Sequence, residues 1–512
     1  MPSNKNNQQP TANAGVTLSR RTLFELAGLA VASAAIPSGM ALAGGPPLLG
    51  APAAASPADS VSPVMNTLST YMSEAAGKPL PEEVAEKAQQ HVLDTFAAMI
   101  SGSELPPGRS ALVFAKSYGG REVATVVASN LLCGPIEAAM VNGVMAHSDE
   151  TDDSNGPSHS HPGCAVVPAA LAAGERFEIG GQQFLRAVTL GYDVGSRFTI
   201  ALGGQKYENE SHFSTHSIAT IFGAAAAAGC AASLNAHQMR VLIGYAAQQC
   251  SGLTSWRRDS EHLQKAFVFA GMTARSGVTS ALVVQSGWTG VEDILSGTDN
   301  FFEAFNPKAD PNVLIDKLGE RYEIARTDIK KWTVGSPIQA VLDAMVILLE
   351  RHHYEASQVK QVAVHLAPPE AVTVNNRDIA DICVQHMTAV MLLDRTVTFH
   401  SAHDQARMRD PAILRERAKV QLVPDEALSK FLPTRAAKVE ITLENGQQLS
   451  EEVDAVRGTS KNPMGHDEVI AKVRDLVTPV LGDPKCSALI DKMMKIDAVK
   501  DLRELRPSLQ RT

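Results

Sequence analysis

A short polar stretch, residues 147 to 163, holds the residues whose types and spacing could do chemistry. It reads HSDETDDSNGPSHSHPG and contains four carboxylates and three histidines with almost no apolar residue to bury. Such a set can ligate a metal ion, transfer protons, or face water as a solvated surface loop. The neighbouring sequence favours one of these three interpretations.

The spacing of the carboxylates does not match an EF-hand calcium loop. Counting from Asp149, the sixth position is Ser154 where glycine is needed, and the twelfth is Ser160 where glutamate is needed. The zinc motif HExxH is also absent from the sequence. Another mononuclear site stays open as an alternative, with the candidate ligands His147, Asp152, Asp153 and His161. We predict that the protein uses no metal.

The position of the stretch favours acid/base chemistry. The apolar segment GPIEAAMVNGVMAH leads into it, and AVVPAALAAGERF follows it with Pro168 expected in the first turn of a helix. The polar residues are therefore expected between two buried helices. His161 would lie near the N-terminus of the second helix, whose dipole disfavours a positive imidazole. A neutral histidine beside carboxylates suits proton abstraction next to a carboxylate group.

Helical patterns predict the scaffold around this stretch. Apolar residues recur at helical spacing after Pro81, and Asn235 with Gln238 predicts a capping box. Further helices are predicted at about 135–146, 167–178, 182–200, 217–233, 236–250 and 262–286. Their alanine and glycine content favours a large helical bundle.

The pattern changes after Tyr322. A helix is predicted from Pro337 to about Arg351, VKQVAVHL alternates as a strand, and VEITLENGQQL predicts a hairpin turning at Asn445-Gly446. Helical periodicity returns in EVIAKVRDLV. We predict a mainly α protein in which a smaller α+β lid is inserted before the C-terminal helices. The predicted parts are a helical domain (63–325), the lid (326–455) and a C-terminal segment that returns to the helical domain (456–512).

The N-terminal sequence SRRTLFELAGLAVASAAIPSGMALAGG is typical of a twin-arginine export signal. We predict a signal peptide over residues 1–43 and a disordered spacer over 44–62. The apolar run is broken by Pro37 and Gly39, so no membrane-spanning helix is expected there. The predicted location is periplasmic or exported, and cytoplasmic if the signal does not function.

The net charge and the cysteine spacing of the chain limit the classes of binding partner that are expected. The net charge of −9, with no long basic run, gives no electrostatic footprint for nucleic acid. The six cysteines lie too far apart for a CxxC pair, which argues against a zinc ribbon or a disulfide scaffold. A small molecule is therefore the expected partner, with no stable insertion into a membrane.

Five blocks of the sequence, in order, resemble the MmgE/PrpD family, whose members include 2-methylcitrate dehydratase, cis-aconitate decarboxylase and iminodisuccinate epimerase. The resemblance covers about residues 63–505. Its blocks are NGVMAHSDETDDSNGPSHSHPGCAVVPAALAAGE, THSIATIFGAAAAAG, EHLQKAFVFAGMTARSGVTSALVVQSGWTG, IKKWTVGSPIQAVLDA and RGTSKNPMGHDEV.

The resemblance implies a homodimer with an active site between a helical domain and a lid, and with no metal or organic cofactor. It implies catalytic roles for His161, Glu150, Asp152, Lys265 and His216, and substrate-binding roles for Asp153, Ser154, Lys330 and Lys331. The chain also departs from the family pattern. The histidine expected at position 214 is Ser214, with His212 and His216 as the nearest candidates, and VGSP replaces a lid sequence that contains Cys or His.

The resulting functional prediction is a cofactor-independent lyase of the dehydratase type. It would remove a proton alpha to a carboxylate of a small di- or tricarboxylic acid such as 2-methylcitrate or citrate, with cationic side chains stabilising the enolate-like transition state. Epimerisation or decarboxylation at the same site is the first alternative. An exported, non-catalytic carboxylate-binding protein and a metal-dependent hydrolase are the others.

Overall fold

The structure is a computed structural model that describes residues 61–511. The predicted signal peptide and all but the last two residues of the predicted spacer lie outside the described residues. Pro63 begins the first helix, and the Ser62 side chain caps it by accepting a hydrogen bond from the backbone N–H of Met65.

Helices dominate the described chain, as the sequence predicts. Those that precede residue 310 are α1 Pro63–Glu74, α2 Glu82–Gly102, α3 Pro106–Tyr118, α4 Pro135–Ala146, α5 Gly163–Phe177, α6 Gly181–Leu202, α7 Gly204–Ser211, α8 Thr215–Ala231, α9 Ala236–Gln248, α10 Leu263–Ala266, α11 Met272–Gln285 and α12 Phe301–Phe305. Strands β1 Ala124–Thr125 and β2 Leu132–Cys133 form a small antiparallel pair among them.

A second group of elements lies within residues 332–456, which we call the α+β segment. Its helices are α13 Ser336–Arg351, α14 Pro368–Val374, α15 Val384–Asp394, α16 Phe399–His403 and α17 Pro411–Arg417, and its strands are β3 Val359–Leu366, β4 Val420–Pro424, β5 Ala437–Leu443 and β6 Gln448–Val453. The strands form one sheet in the order β4-β3-β5-β6, parallel between β3 and β4 and antiparallel elsewhere.

The chain ends in α18 His466–Leu481, α19 Asp483–Met494 and α20 Arg506–Leu509, and α18 packs against α2. Two main hydrophobic cores result. One joins the first helices to the last, and the other lies within the α+β segment, between its helices and its sheet.

Several local predictions are confirmed. Asn235 and Gln238 form a reciprocal capping box at the start of α9. The predicted hairpin is β5–β6, and Gly446 in its turn has φ +86°, a conformation that glycine adopts without strain.

The predicted start of the helix after the polar stretch is wrong. It begins at Gly163, so Pro168 lies inside the helix rather than in its first turn. Pro168 cannot donate a hydrogen bond to the carbonyl of Cys164, one turn back, and its ring crowds that carbonyl, but the buried surroundings of α5 hold the helix around that gap.

The continuous helical segment Leu263–Gln285 is apolar and long enough to cross a membrane by composition. Within it, 61% of the most apolar window is buried inside the protein. We therefore interpret this segment as a core helix. Its residues Phe267–Gly271 form a π-helical turn, a feature that is frequent at functional sites.

Candidate active site

The polar stretch connects α4 to α5 and is buried. Asp149, Glu150, Asp152 and Asp153 are each 6% exposed or less, and His147 is fully buried. The alternative of a solvated surface loop is therefore wrong. Buried carboxylates require charged or hydrogen-bonding partners, and five other parts of the chain supply them through His91, Tyr192, Lys265, Lys330 and His403.

His161 is held in the tautomer that a general base requires. Its Nδ1 lies 2.7 Å from the backbone oxygen of Asp153 and 3.3 Å from Oδ1 of Asp152. Because a carbonyl oxygen can only accept, Nδ1 carries the proton and Nε2 is left basic. Burial lowers the pKa of His161, Lys330 lowers it further, and Asp152 opposes both. The imidazole is thus neutral near pH 7 and can accept a proton.

Two lysines meet the carboxylates. Lys265 Nζ contacts Glu150 Oε1, and the buried Lys330 Nζ donates to the backbone oxygen of Glu150 at 2.8 Å and lies 3.5 Å from Oδ1 of Asp152. Burial alone would lower the pKa of Lys330, but Asp152 and Glu150 raise it above its ordinary value. Burial alone would raise the pKa values of the two carboxyls, but the lysines and histidines around them hold both well below the ordinary range.

The two adjacent candidates Lys330 and Lys331 are separated by the structure. Lys330 belongs to this ion-pair cluster, whereas Lys331 Nζ lies over the Trp332 ring, 4.6 Å from its centroid. Adjacent residues point in different directions, so the expectation that Lys331 contacts substrate is not supported.

Two further imidazoles stack on Phe269, and a third lies beside one of them. The rings of His147 and His216 stack on it with centroid distances of 4.7 and 4.0 Å, and His262 lies 5.1 Å from His147. Burial, together with neighbouring cationic groups, holds the pKa values of His216 and His262 well below the ordinary value. These two rings are therefore neutral, which makes His216 a poor acid. His212 is exposed and lies outside the cavity described below.

The family pattern expects a histidine at position 214, but this chain has a serine there and a histidine–glutamate pair nearby. Ser214 is buried and is the N-cap residue of α8, and His159 Nε2 lies 3.4 Å from Oε1 of the fully buried Glu208. Thr215 and Arg257 also donate to Glu208. Burial raises the pKa of Glu208, but His159 and Arg257 lower it below its ordinary value overall, so the carboxylate is ionised. Sequence reasoning missed Glu208, which no motif marks.

Asp153 and Ser154 do not line the cavity, which corrects their expected role in substrate binding. The Asp153 carboxylate accepts hydrogen bonds from Tyr192 and from the backbone N–H of Gly163, and it pairs with His91 at 2.8 Å. Ser154 pairs through its backbone with Asp328. Asp153 therefore positions His161 without lining the cavity, because the backbone oxygen of Asp153 accepts the hydrogen bond that fixes Nδ1 of His161.

Another partner comes from the α+β segment and was also missed. His403 at the end of α16 places Nε2 2.9 Å from Oδ2 of Asp149. Burial lowers the pKa of His403, but Asp149 and then Asp381 raise it to about 9. An imidazolium–carboxylate pair therefore links the α+β segment to the polar stretch.

Lys265 stands at the junction of α10 and the π-helical turn. A π-helical turn leaves carbonyls without their usual partners, and the Thr220 hydroxyl of α8 donates to the Phe269 oxygen at 2.9 Å. The same hydroxyl lies 2.6 Å from the His216 oxygen, so it links α8 to the turn that carries Phe269. Lys265 Nζ lies 5.3 Å from the Trp256 ring centroid.

These side chains open onto a cavity of about 810 Å³. One wall carries the polar groups, and the α+β segment supplies the opposite wall. The polar-wall residues that matter here are Glu150, His159, His161, His216, His262 and Lys265.

Three groups of side chains have the types and spacing to hold a metal ion. They are His147 with Asp152 and His161, His147 with Glu150 and His262, and His159 with Glu208 and His216. In each group the carboxylate already has a basic side chain beside it, namely Lys330, Lys265 and Arg257 respectively. A metal ion bound to any of these groups would be repelled by the positive charge of that basic side chain. We therefore interpret all three groups as internal ion-pair networks.

The arrangement defines what the site can do chemically. It offers the neutral base His161, the Lys265 ammonium group and two further neutral imidazoles, His216 and His262, around a cavity large enough for an organic acid. Lys330 and Asp152 do not line this cavity and contact it only through Glu150 and His161. A negatively charged substrate would be attracted by Lys265, and a developing enolate would be stabilised by the same charge.

Comparison with known families agrees with this geometry. The MmgE/PrpD N-terminal domain matches residues 66–314, and the MmgE/PrpD C-terminal domain matches residues 332–496. The chain belongs to the MmgE/PrpD family and is an enzyme of that family.

Three similar proteins are named as cis-aconitate decarboxylases or as decarboxylase-like. The human cis-aconitate decarboxylase is 23% identical over 84% of this chain and 91% of its own length. The cis-aconitate decarboxylase of Aspergillus terreus is 22% identical over 87% and 95%, and the cis-aconitate decarboxylase-like protein oryM of Aspergillus oryzae is 21% identical over 86% and 95%.

Proposed function

We propose that the protein is a lyase that acts on a small di- or tricarboxylic acid by removing a proton from the carbon alpha to a carboxylate. The observation that carries this proposal is the neutral His161, with its basic Nε2, beside Lys265 and Glu150 in one cavity. Proton abstraction at such a carbon is difficult because the product carbanion is poorly stabilised. The Lys265 ammonium is placed to stabilise it.

Dehydration is the leading reaction. His161 takes the alpha proton, the C–O bond to the neighbouring hydroxyl breaks, and an alkene and water are released. The departing hydroxyl needs a proton. We assign this to His159, which lines the cavity with its Nε2 3.4 Å from Glu208 Oε1, because His216 is held neutral.

Decarboxylation is the second candidate, because the similar human and Aspergillus proteins are cis-aconitate decarboxylases. In that reaction the C–C bond to a carboxylate breaks, CO2 leaves, and the electron pair left on carbon is protonated. The same lysine would stabilise the same kind of carbanion.

Product analysis separates these reactions. The purified protein is incubated with citrate, 2-methylcitrate, the aconitates and substituted succinates, with and without a chelator, and the products are followed by NMR. An alkene formed from a hydroxy acid identifies a dehydratase, and CO2 loss from an unsaturated acid identifies a decarboxylase. Binding without any turnover would instead support the carboxylate-binding protein, and loss of turnover with chelator would support a metal-dependent enzyme.

Export through the twin-arginine pathway and assembly as a homodimer are part of the proposal. Their support is the N-terminal sequence and the family resemblance respectively. Fractionation of the producing cell tests the first, and light scattering of the purified protein tests the second.

A further inference from the structure

The wall of the cavity that faces the polar groups is mainly aliphatic. It comes from the α+β segment, and its apolar members are Pro337, Pro369, Val372, Val374, Ile379, Ile382 and Leu432. Ile379, Ile382 and Leu432 are half-buried, so they are positioned to be covered further by a ligand.

The cavity wall from the α+β segment carries few charged residues. Glu370 and Arg435 pair with each other at 2.9 Å, which leaves Arg377 as the third charged residue that the α+β segment contributes to the cavity lining. Most charged residues of the cavity lining therefore lie on the opposite wall, with Lys265 and the histidines. The cavity is polar at one side and apolar at the other.

The size of the cavity exceeds what a small tricarboxylic acid needs. An acid such as citrate has about a dozen non-hydrogen atoms, whereas a cavity of about 810 Å³ lies in the upper part of the range of roughly 300–1,000 Å³ that drug-sized ligands occupy. An unsubstituted acid held at Lys265 would leave the aliphatic wall in contact with water.

We infer that the substrate is a carboxylic acid that carries an aliphatic substituent of several carbons, with its carboxylates at the Lys265 wall and its alkyl chain against Ile379, Ile382 and Leu432. This inference rests on the proposed function for the orientation of the acid and names its substrate class. Each methylene that moves from water to the apolar wall raises affinity about fourfold.

A homologous series tests the inference. Citrates with a methyl, butyl or hexyl group at carbon 2 are compared by titration calorimetry and by kcat/KM, using wild type, Ile382→Asn and the control Leu414→Asn. Leu414 is an exposed leucine on α17 that does not line the cavity. The expected result is tighter binding and higher kcat/KM with chain length in wild type and Leu414→Asn, and a much weaker dependence in Ile382→Asn.

The outcomes separate this inference from the lyase proposal. Turnover that is highest for the methyl compound and falls with chain length overturns the inference and leaves the lyase standing. Binding that tightens with chain length but gives no turnover supports the inference and overturns dehydration as the leading reaction. If Ile382→Asn fails to fold, the wild-type chain-length series alone decides the inference.

Discussion

At the scale of single residues, the site depends on charges that are buried in pairs. Lys330 faces Glu150 and Asp152 and is 3% exposed, whereas its neighbour Lys331 lies over Trp332. Removing one member of a buried pair leaves an uncompensated charge, which is more costly than losing the pair as a whole.

Substitution of each of the adjacent residues Lys330 and Lys331 gives a prediction with its own control. Lys330→Met is expected to destabilise the protein by about 3–5 kcal/mol and to reduce kcat/KM sharply, because Glu150 and Asp152 lose a buried partner. Lys331→Met removes only a cation–π contact, at a cost of about 1 kcal/mol or less. Urea denaturation and steady-state kinetics measure both effects. Equal effects of the two substitutions would contradict the assignment of Lys330 to the site.

The neutral His161 predicts a pH dependence. The base must be unprotonated, so kcat/KM should fall as pH decreases through the lowered pKa of His161, which lies below 6.5. Asp152 raises that pKa, so Asp152→Asn should move the acid limb of the profile to lower pH. The exposed Asp491→Asn on α19 serves as the control. An acid limb that stays in place in Asp152→Asn would argue against His161 as the base.

At the scale of elements, the polar stretch is fixed by helices that are far from it in sequence. The α+β segment reaches it through His403 of α16, and the C-terminal helix α18 reaches it through Lys472, whose Nζ donates to the Thr151 oxygen at 3.0 Å. Contacts from both later parts of the chain thus hold the short connection between α4 and α5 in place.

The His403–Asp149 pair makes this attachment dependent on pH. The pKa of His403 is raised from 6.5 to about 9, so the stabilisation is complete below about pH 6.5 and is lost as pH rises through 9. Its full size is roughly 3 kcal/mol. Asp381, whose pKa burial raises to about 6, is already ionised over most of that window.

A double comparison measures the effect. The urea midpoint of wild type should exceed that of His403→Gln at pH 6.5, and the difference should shrink towards pH 9.5. His400→Gln on the same helix is exposed and should behave like wild type. A difference between wild type and His403→Gln that does not change with pH would show that the pair is not ionised as described.

At the scale of the whole molecule, the sequence predicts the scaffold better than the site. Apolar periodicity and proline at the first turn place α4 at Pro135–Ala146, because those signals act over a few residues. The hairpin turn at Asn445-Gly446 and the capping box at Asn235 are predicted for the same reason.

Side chains that reach the site from distant parts of the sequence could not be predicted from local patterns. Glu208 and His403 reach the site only through packing of distant elements, and no local pattern marks them. The choice between Lys330 and Lys331 depends on which side chain faces the cluster. The sequence pattern misplaces the start of α5, because Pro168 predicts a first turn whereas the buried helix contains this proline further along. The N-terminal signal stays a prediction.

The central claim is that His161 transfers a proton at a carbon alpha to a carboxylate. The most direct measurement is deuterium incorporation at that carbon in D2O, followed by NMR with the acids named above, for wild type, His161→Gln and the exposed control His212→Gln. The account predicts incorporation or alkene formation by wild type and His212→Gln, with a loss of roughly 10²–10⁴-fold in a folded His161→Gln protein. Undiminished incorporation by His161→Gln would contradict it.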